Sequence, residues 1–238
     1  MGVFHTTDQN SALVGKAVVT LLKKNGYADA DIVERAVSAT ATDVTEAVLA
    51  MKAVDYIIMN DNPTQGQLFL KQKAQNGLTT PGVIDTGAAT YVASGANTLD
   101  QMKNQTYVAG CSTDTLGTPE AEAYKAAYKA KYPSEPNTDG SAPGNYQAIN
   151  FIAKAANLAK SIEPKDLKAA IKTVDYTGPC GQWKADAENN LQHDVAVVDI
   201  TTNKLVKLYK QLQGVPGLAA QELGSTTAAA TSAAGAGS

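Results

Sequence analysis

The sequence predicts an α/β fold, a parallel sheet flanked by helices, and two observations carry that expectation. Residues 1–85 repeat one pattern three times, a short apolar run followed by an amphipathic stretch, and each apolar run stops at a polar cluster. The runs Val3-Phe4, Tyr56-Ile57-Ile58-Met59 and Gly82-Val83-Ile84 end at His5-Thr6-Thr7, Asn60-Asp61-Asn62 and Asp85-Thr86. Strands alternating with helices of this length demand parallel pairing with right-handed crossovers. Ligands bind outside the carboxyl ends of such strands, so the polar clusters form the expected functional rim.

Each element has a local cause. Asn10 or Ser11 is a candidate cap for a first helix with Leu13, Ala17, Val18, Leu21 and Leu22 on one face, and Gly26 is the expected left-handed stop. Residues 32–37 read as the next strand. Asp43-Val44-Thr45-Glu46 reads as a capping box opening a helix with Val44, Ala47, Val48 and Met51 inward. Pro63-Thr64 begins a third helix, Leu68, Phe69 and Lys71-Gln72 continue it, and Gly77 ends it before strand 81–84.

The pattern changes after Tyr107-Val108-Ala109-Gly110-Cys111. Residues 119–132, 145–160 and 164–173 form three helical segments with no strand evident between them. A stripe of Ile149, Ile152, Ala153, Ala156, Leu158 and Ala159 calls for a packing surface. No sheet to receive it is evident in the sequence. Residues 195–200 and 205–209 flank Thr201-Thr202-Asn203-Lys204, a hairpin signal that adds antiparallel strands at a sheet edge. From residue 224 to the end, a run of Ala, Ser, Thr and Gly offers nothing to bury and reads as a disordered tail.

Composition narrows the function. With 238 residues and 44% hydrophobic side chains the chain can bury a substantial core, as one large domain or two small ones. Twenty basic against 23 acidic residues leave a formal charge of -3, too weak a field of either sign to indicate nucleic acid or a membrane surface. A neutral or zwitterionic small ligand suits that balance. No run approaches the roughly 20 apolar residues of a membrane span. Met1 leads into Gly2-Val3-Phe4 without a signal segment, which fits either a cytoplasmic protein or one lacking its front end. Cys111 and Cys180 have no metal-ligand spacing, and the residues alone leave open two free thiols or one long-range disulfide.

Several motifs in order carry a resemblance. They are Leu70-Lys71-Gln72 with Gly77-Leu78, Ala123-Tyr124-Lys125-Ala126-Ala127-Tyr128 with Tyr132-Pro133, Asn145-Tyr146-Gln147-Ala148, and Gly178-Pro179 with Trp183. In these the chain, from residue 2 to about 209, resembles the second half of the leucine/isoleucine/valine-binding protein family, the type I periplasmic solute-binding proteins of ABC transporters. In that family two Rossmann-like or flavodoxin-like lobes close on a ligand across a three-strand hinge. The resemblance implies that residues 1–111 with 194–210 form the second lobe. Residues 112–193 would then be the helical part of an incomplete first lobe with the hinge crossovers, and 211–238 a tail. It also implies an amino acid or similar small polar ligand, a membrane permease as partner, and a periplasmic or cell-surface location for the full-length protein. Neither a cofactor nor a metal is implied.

The resemblance points to particular residues. Asn10 stands where the family has an aromatic before the first helix of the second lobe, a departure that bears on ligand class. Asp61, Asn62, Asp85 and Thr86 occupy the loops after two strands, with Asp85 where the family often places an acid facing a ligand amine. Tyr146 would reach the cleft from the first-lobe side. Cys111 and Cys180 both fall near hinge crossovers, where a bridge would tie the crossing segments and limit hinge motion. Trp183 reads as a packing residue, and His5 and His193 as structural or exposed residues without a paired carboxylate.

Two other functions compete. An enzyme on the same architecture is one, since a fold does not fix a chemistry. Against it, the chain has no Gly-x-Gly-x-x-Gly, Walker loop, Gly-x-Ser-x-Gly or His-Glu-x-x-His, and no nucleophile and base can be paired. The second is a ligand-sensing domain of a receptor or regulator, which shares the clamshell plan.

Overall fold

A computed structural model describes residues 1–88, 91–92, 94–134, 141–186 and 190–209. The strands are β1 (Gly2–Thr6), β2 (Val33–Val37), β3 (Ile57–Asn60), β4 (Gly82–Ile84), β5 (Gln105–Ala109), β6 (Asp175–Gly178), β7 (Gly181–Ala185), β8 (Leu191–His193), β9 (Val195–Asp199) and β10 (Lys204–Tyr209). The helices are α1 (Gln9–Lys24), α2 (Thr45–Ala50), α3 (Pro63–Gln75), α4 (Thr113–Leu116), α5 (Pro119–Lys131), α6 (Ser141–Ala159) and α7 (Pro164–Ile171).

Seven strands form the main sheet in the order β10-β9-β5-β4-β3-β1-β2. The five from β1 to β5 are parallel, whereas β9 and β10 run antiparallel at one edge. The expected hairpin at 195–209 is present there, with its pairing register slipping between Leu205 and Lys207. Helix ends follow local chemistry. Gly26 and Gly77 adopt φ of +93° and +68° just past α1 and α3, a region open to glycine without a Cβ penalty. Pro63 starts α3 where its missing N–H costs nothing.

The main core lies between this sheet and its helices. Phe4 of β1 stacks on Phe69 of α3 with ring centroids 4.3 Å apart, and Val48, Met51, Ile57, Ile84 and Met102 are fully buried around them. Each such side chain contributes about 1.5–3 kcal/mol of transfer free energy, so this sheet anchors the fold. Val44, Ala47, Val48 and Met51 of the second helical unit face inward as their spacing predicts.

Three local expectations need correcting. The cap of α1 is Asp8, whose carboxylate accepts from the Ser11 amide at 3.0 Å, and Asn10 lies exposed inside the helix instead. The inward face also differs from the expected one: Ser11 and Gly15 are buried and Leu13 is 53% exposed. At α2 no reciprocal box forms. Asp43 accepts from the Thr45 amide at 2.7 Å, an Asx turn ahead of the helix.

The stretch from 175 to 193 holds strands that hydrophobic alternation does not announce. β6, β7 and β8 make a separate antiparallel sheet. One face of α6 packs there, with Phe151, Ala155, Val174, Cys180 and Trp183 as a second, smaller core. Phe151 and Trp183 meet edge to face at 6.3 Å, which makes the lone tryptophan a packing residue. The opposite face of α6 is uncovered: Ile149 is 70% exposed, and Ile152 and Leu158 are exposed beside it. The expected tail lies outside the described residues.

Cys111, just after β5, is joined to Cys180 at the β6–β7 turn by a disulfide with a Cα–Cα distance of 4.6 Å. This bridge ties the end of the main sheet to the second core. His5 is not carboxylate-free, because parallel pairing of β1 and β2 brings Glu34 to its Nε2 at 3.0 Å.

Candidate functional site

Strands β1, β3 and β4 are neighbours, so their carboxyl ends stand roughly 4.8 Å apart along the rim. Phe4 pairs with Met59 and His5 with Asn60 across β1 and β3, so the next step sets Thr6 beside Asp61. Met59 pairs with Ile84, which brings Asp85 alongside. Three elements of different sequence position thus converge on one edge.

Hydrogen bonds fix that edge. The Thr6 hydroxyl accepts from the Asn62 amide at 3.1 Å and donates to the Asp8 carboxylate. Asp8 also caps α1 through Ser11, and both hydrogen bonds hold its carboxyl below the usual range, the Thr6 hydroxyl having the larger effect. Asn62 caps α3 by accepting from the Thr64 amide at 3.2 Å and remains exposed. Asp85 is half-buried and accepts from the Gly87 amide at 2.8 Å. Thr86 begins the single turn Thr86–Ala88, and its side chain is outside the described residues.

Asp61 is the unusual member. It is 6% exposed, its Oδ1 accepts from the Tyr91 hydroxyl at 3.4 Å, and its Oδ2 has no hydrogen-bond partner among the described residues. Burial, followed by repulsion from Asp85, pushes its carboxyl up to about 8, so it is neutral at pH 7. Burial raises Asp85 as well, and it drives the Tyr91 hydroxyl well above its ordinary range. Gly66 of α3 allows this close packing, since a Cβ there would run into the Asp61 carboxylate and the Tyr91 hydroxyl.

The sequence-derived residues divide accordingly. Asp61, Asn62 and Asp85 come together at one rim, with Asn10 nearby on the exposed first turn of α1. Tyr146 does not join them. It is 49% exposed on α6, 5.3 Å from the Tyr124 ring, in a groove of about 480 Å³ shared with Tyr128, Tyr176 and Pro179. Sequence reasoning passes over Asp8 and Tyr91. Asp8 carried a usable signal, an acid three residues before Ser11 at a strand-to-helix junction. Tyr91 carried none, being an aromatic in a Gly- and Ala-rich stretch of sequence that only the fold brings beneath Asp61.

Among the described residues no group of three or more His, Cys, Asp or Glu side chains could hold a metal ion, and no helix is long and apolar enough to cross a membrane. The rim can offer oriented hydroxyl, amide and carboxyl groups.

The chain is similar to known proteins. The chain is 27% identical over 176 residues to the Leu/Ile/Val-binding protein homolog 8 of Brucella abortus, an alignment covering 71% of this chain and 40% of that relative. The chain therefore spans well under half the length of the curated relatives it matches. Among solved structures, the leucine-, isoleucine-, valine-, threonine- and alanine-binding protein of Brucella ovis superposes with a TM-score of 0.76 at 14% identity, covering 90% of this chain and 58% of that one. The branched-chain amino acid transporter substrate binding protein of Streptococcus pneumoniae, solved with isoleucine, gives 0.68 at 23% identity, covering 87% and 58%. These show a shared type I periplasmic binding protein fold, in a family of solute-binding proteins and not of enzymes. A family model described as periplasmic binding protein matches residues 1–204, and the chain belongs to that family.

Proposed function

We propose that this chain supplies the second ligand-binding lobe, with part of the first, of a solute-binding component of an ABC-type importer. It holds an amino acid or similar small polar ligand and delivers it to a membrane permease at the periplasmic or outer cell surface. One observation carries the reading: Thr6, Asp61 and Asp85 converge at the ends of three adjacent parallel strands, with polar groups held in place before any ligand arrives. Asp85 faces the ligand amine, and Asn10, Asn62 and Thr86 surround it. Tyr146 stands in a separate groove and reaches ligand only when one lobe closes on the other.

The division into lobes has its own support. Residues 1–111 with 194–209 build the main sheet, whereas 112–193 carry the second core and an uncovered helix face. A first-lobe sheet would cover Ile149, Ile152 and Leu158. Calorimetric titration of an amino-acid panel, into the chain with and without the further region its relatives possess, tests the reading. Saturable binding that needs both parts and weakens at least about tenfold in Asp85→Ala is expected, the loss of one charge-assisted hydrogen bond. No saturable binding from either form excludes it.

A further inference from the structure

We propose that the rim selects a ligand with two positive charges, such as a basic amino acid or a diamine, and that Asp61 surrenders a proton when it binds. This rests on the solute-binding reading and assigns the charge of its ligand. The argument begins with a mismatch. Asp8, Asp61 and Asp85 occupy the ends of adjacent strands, and no Lys, Arg or His forms an ion pair with any of them among the described residues.

Hydrogen bonds within the protein account for Asp8, through Thr6 and Ser11, and for Asp85, through Gly87. Asp61 is different, more than nine-tenths buried with Oδ2 unsatisfied. A buried carboxylate without a counter-charge is costly, and the nearby start of α3 offsets only a small part of that cost. A cation at the rim removes the mismatch.

Counting charges separates ligand classes. A neutral aliphatic amino acid brings one ammonium and one carboxylate, so it adds a negative group to a rim that already gathers three carboxyl groups. A second cationic group supplies the missing balance. On binding, Asp61 passes from carboxylic acid to carboxylate, its proton goes to solvent, and the ligand cation becomes the counter-ion. The groups facing Asp61 in this exchange are Asp85 just after β4, Asp8 from the β1–α1 junction and Tyr91 from the segment beyond Asp85; the first turn of α3 contributes no acid.

Carboxyl NMR of the aspartate-labelled chain, joined to the further region its relatives possess, tests this, with L-arginine, putrescine and L-leucine added in turn at constant ionic strength. Arginine and putrescine should lower the Asp61 and Asp85 midpoints by about one unit, the effect of a nearby opposite charge. Leucine should move neither, and the exposed Asp43 should respond to none. In Asp61→Asn, which keeps the side chain's shape, arginine should still shift Asp85 but release no proton in unbuffered solution.

Unshifted Asp61 and Asp85 midpoints with both cations overturn the proposal. A leucine shift as large as the arginine shift overturns it too, while leaving the solute-binding reading standing. Proton release that persists in Asp61→Asn assigns the proton elsewhere and overturns the role of Asp61.

Discussion

Gln147 grips the turn that carries Cys180: its Oε1 accepts from the Cys180 amide at 2.6 Å, and its Nε2 donates to the Gly181 carbonyl at 2.9 Å. The side chain is fully buried. Gln147→Leu therefore strands a buried N–H and a half-buried C=O, and the expected loss is about 2–3 kcal/mol. Because Trp183 belongs to the same core, a urea titration followed by its fluorescence should show the fall; a change under about 0.5 kcal/mol, the usual range for surface substitutions, would count against this linkage.

Asp61 makes stability depend on pH. Its folded carboxyl titrates at about 8 and its unfolded one near the ordinary value, so between the two the native state holds the extra proton. Stability is thus greatest below the unfolded value and is lost as pH rises toward 8, by at most about 1.4 kcal/mol per pH unit. Asp61→Asn should flatten this slope and be more stable than the native protein at pH 8. Thermal melts from pH 5 to 8.5 check it, and equal slopes in both proteins would refute it.

Lys73 runs the other way. It is buried on α3, burial lowers its ammonium to about 8, and no carboxylate pairs with it among the described residues. Below pH 8 the folded state holds an unpaired charge. Lys73→Met, of similar length, is expected to stabilise the protein by roughly 1–2 kcal/mol at pH 7 and by little above pH 10. Chemical denaturation at the two pH values separates the cases.

The Cys111–Cys180 bridge spans 69 residues and encloses α4 to α7 and β6. In the chain-entropy view such a closure is worth about 4 kcal/mol. Reduction, or the double Cys→Ser variant, should loosen the second core first. Hydrogen exchange should show faster amides in α5 to α7 than in β1 to β5, and uniform protection across both regions would contradict two cores of unequal stability.

The parallel sheet was legible because β1, β3 and β4 are short apolar runs ended by polar residues, and because Gly26, Pro63 and Gly77 punctuate the helices where the backbone requires them. The terminal hairpin was equally plain. β6 to β8 were not, since Tyr176, Gln182, Lys184 and Gln192 interrupt any alternation, and their pairing is held by the disulfide and by Gln147 from a distant helix. The rim was half visible. Asp61 and Asp85 follow apolar runs, but the burial that keeps Asp61 neutral comes from Tyr91 and from the bare Gly66 surface, contacts that no local pattern encodes. Leu13 shows the limit of helical periodicity, because α1 meets the sheet through its small residues Ser11 and Gly15, and a Cβ at Gly15 would run into the His5 ring.

The slipped register between Leu205 and Lys207 has a bearing on self-assembly. A straight outer strand is an open template for fibril growth, and an irregularity that twists it away, together with charge on the strand, blunts that template. β10 has both, with Lys204 and Lys207 on it, and at the far border β2 carries Glu34 and Arg35. Neither margin of the sheet therefore invites another chain to stack on it.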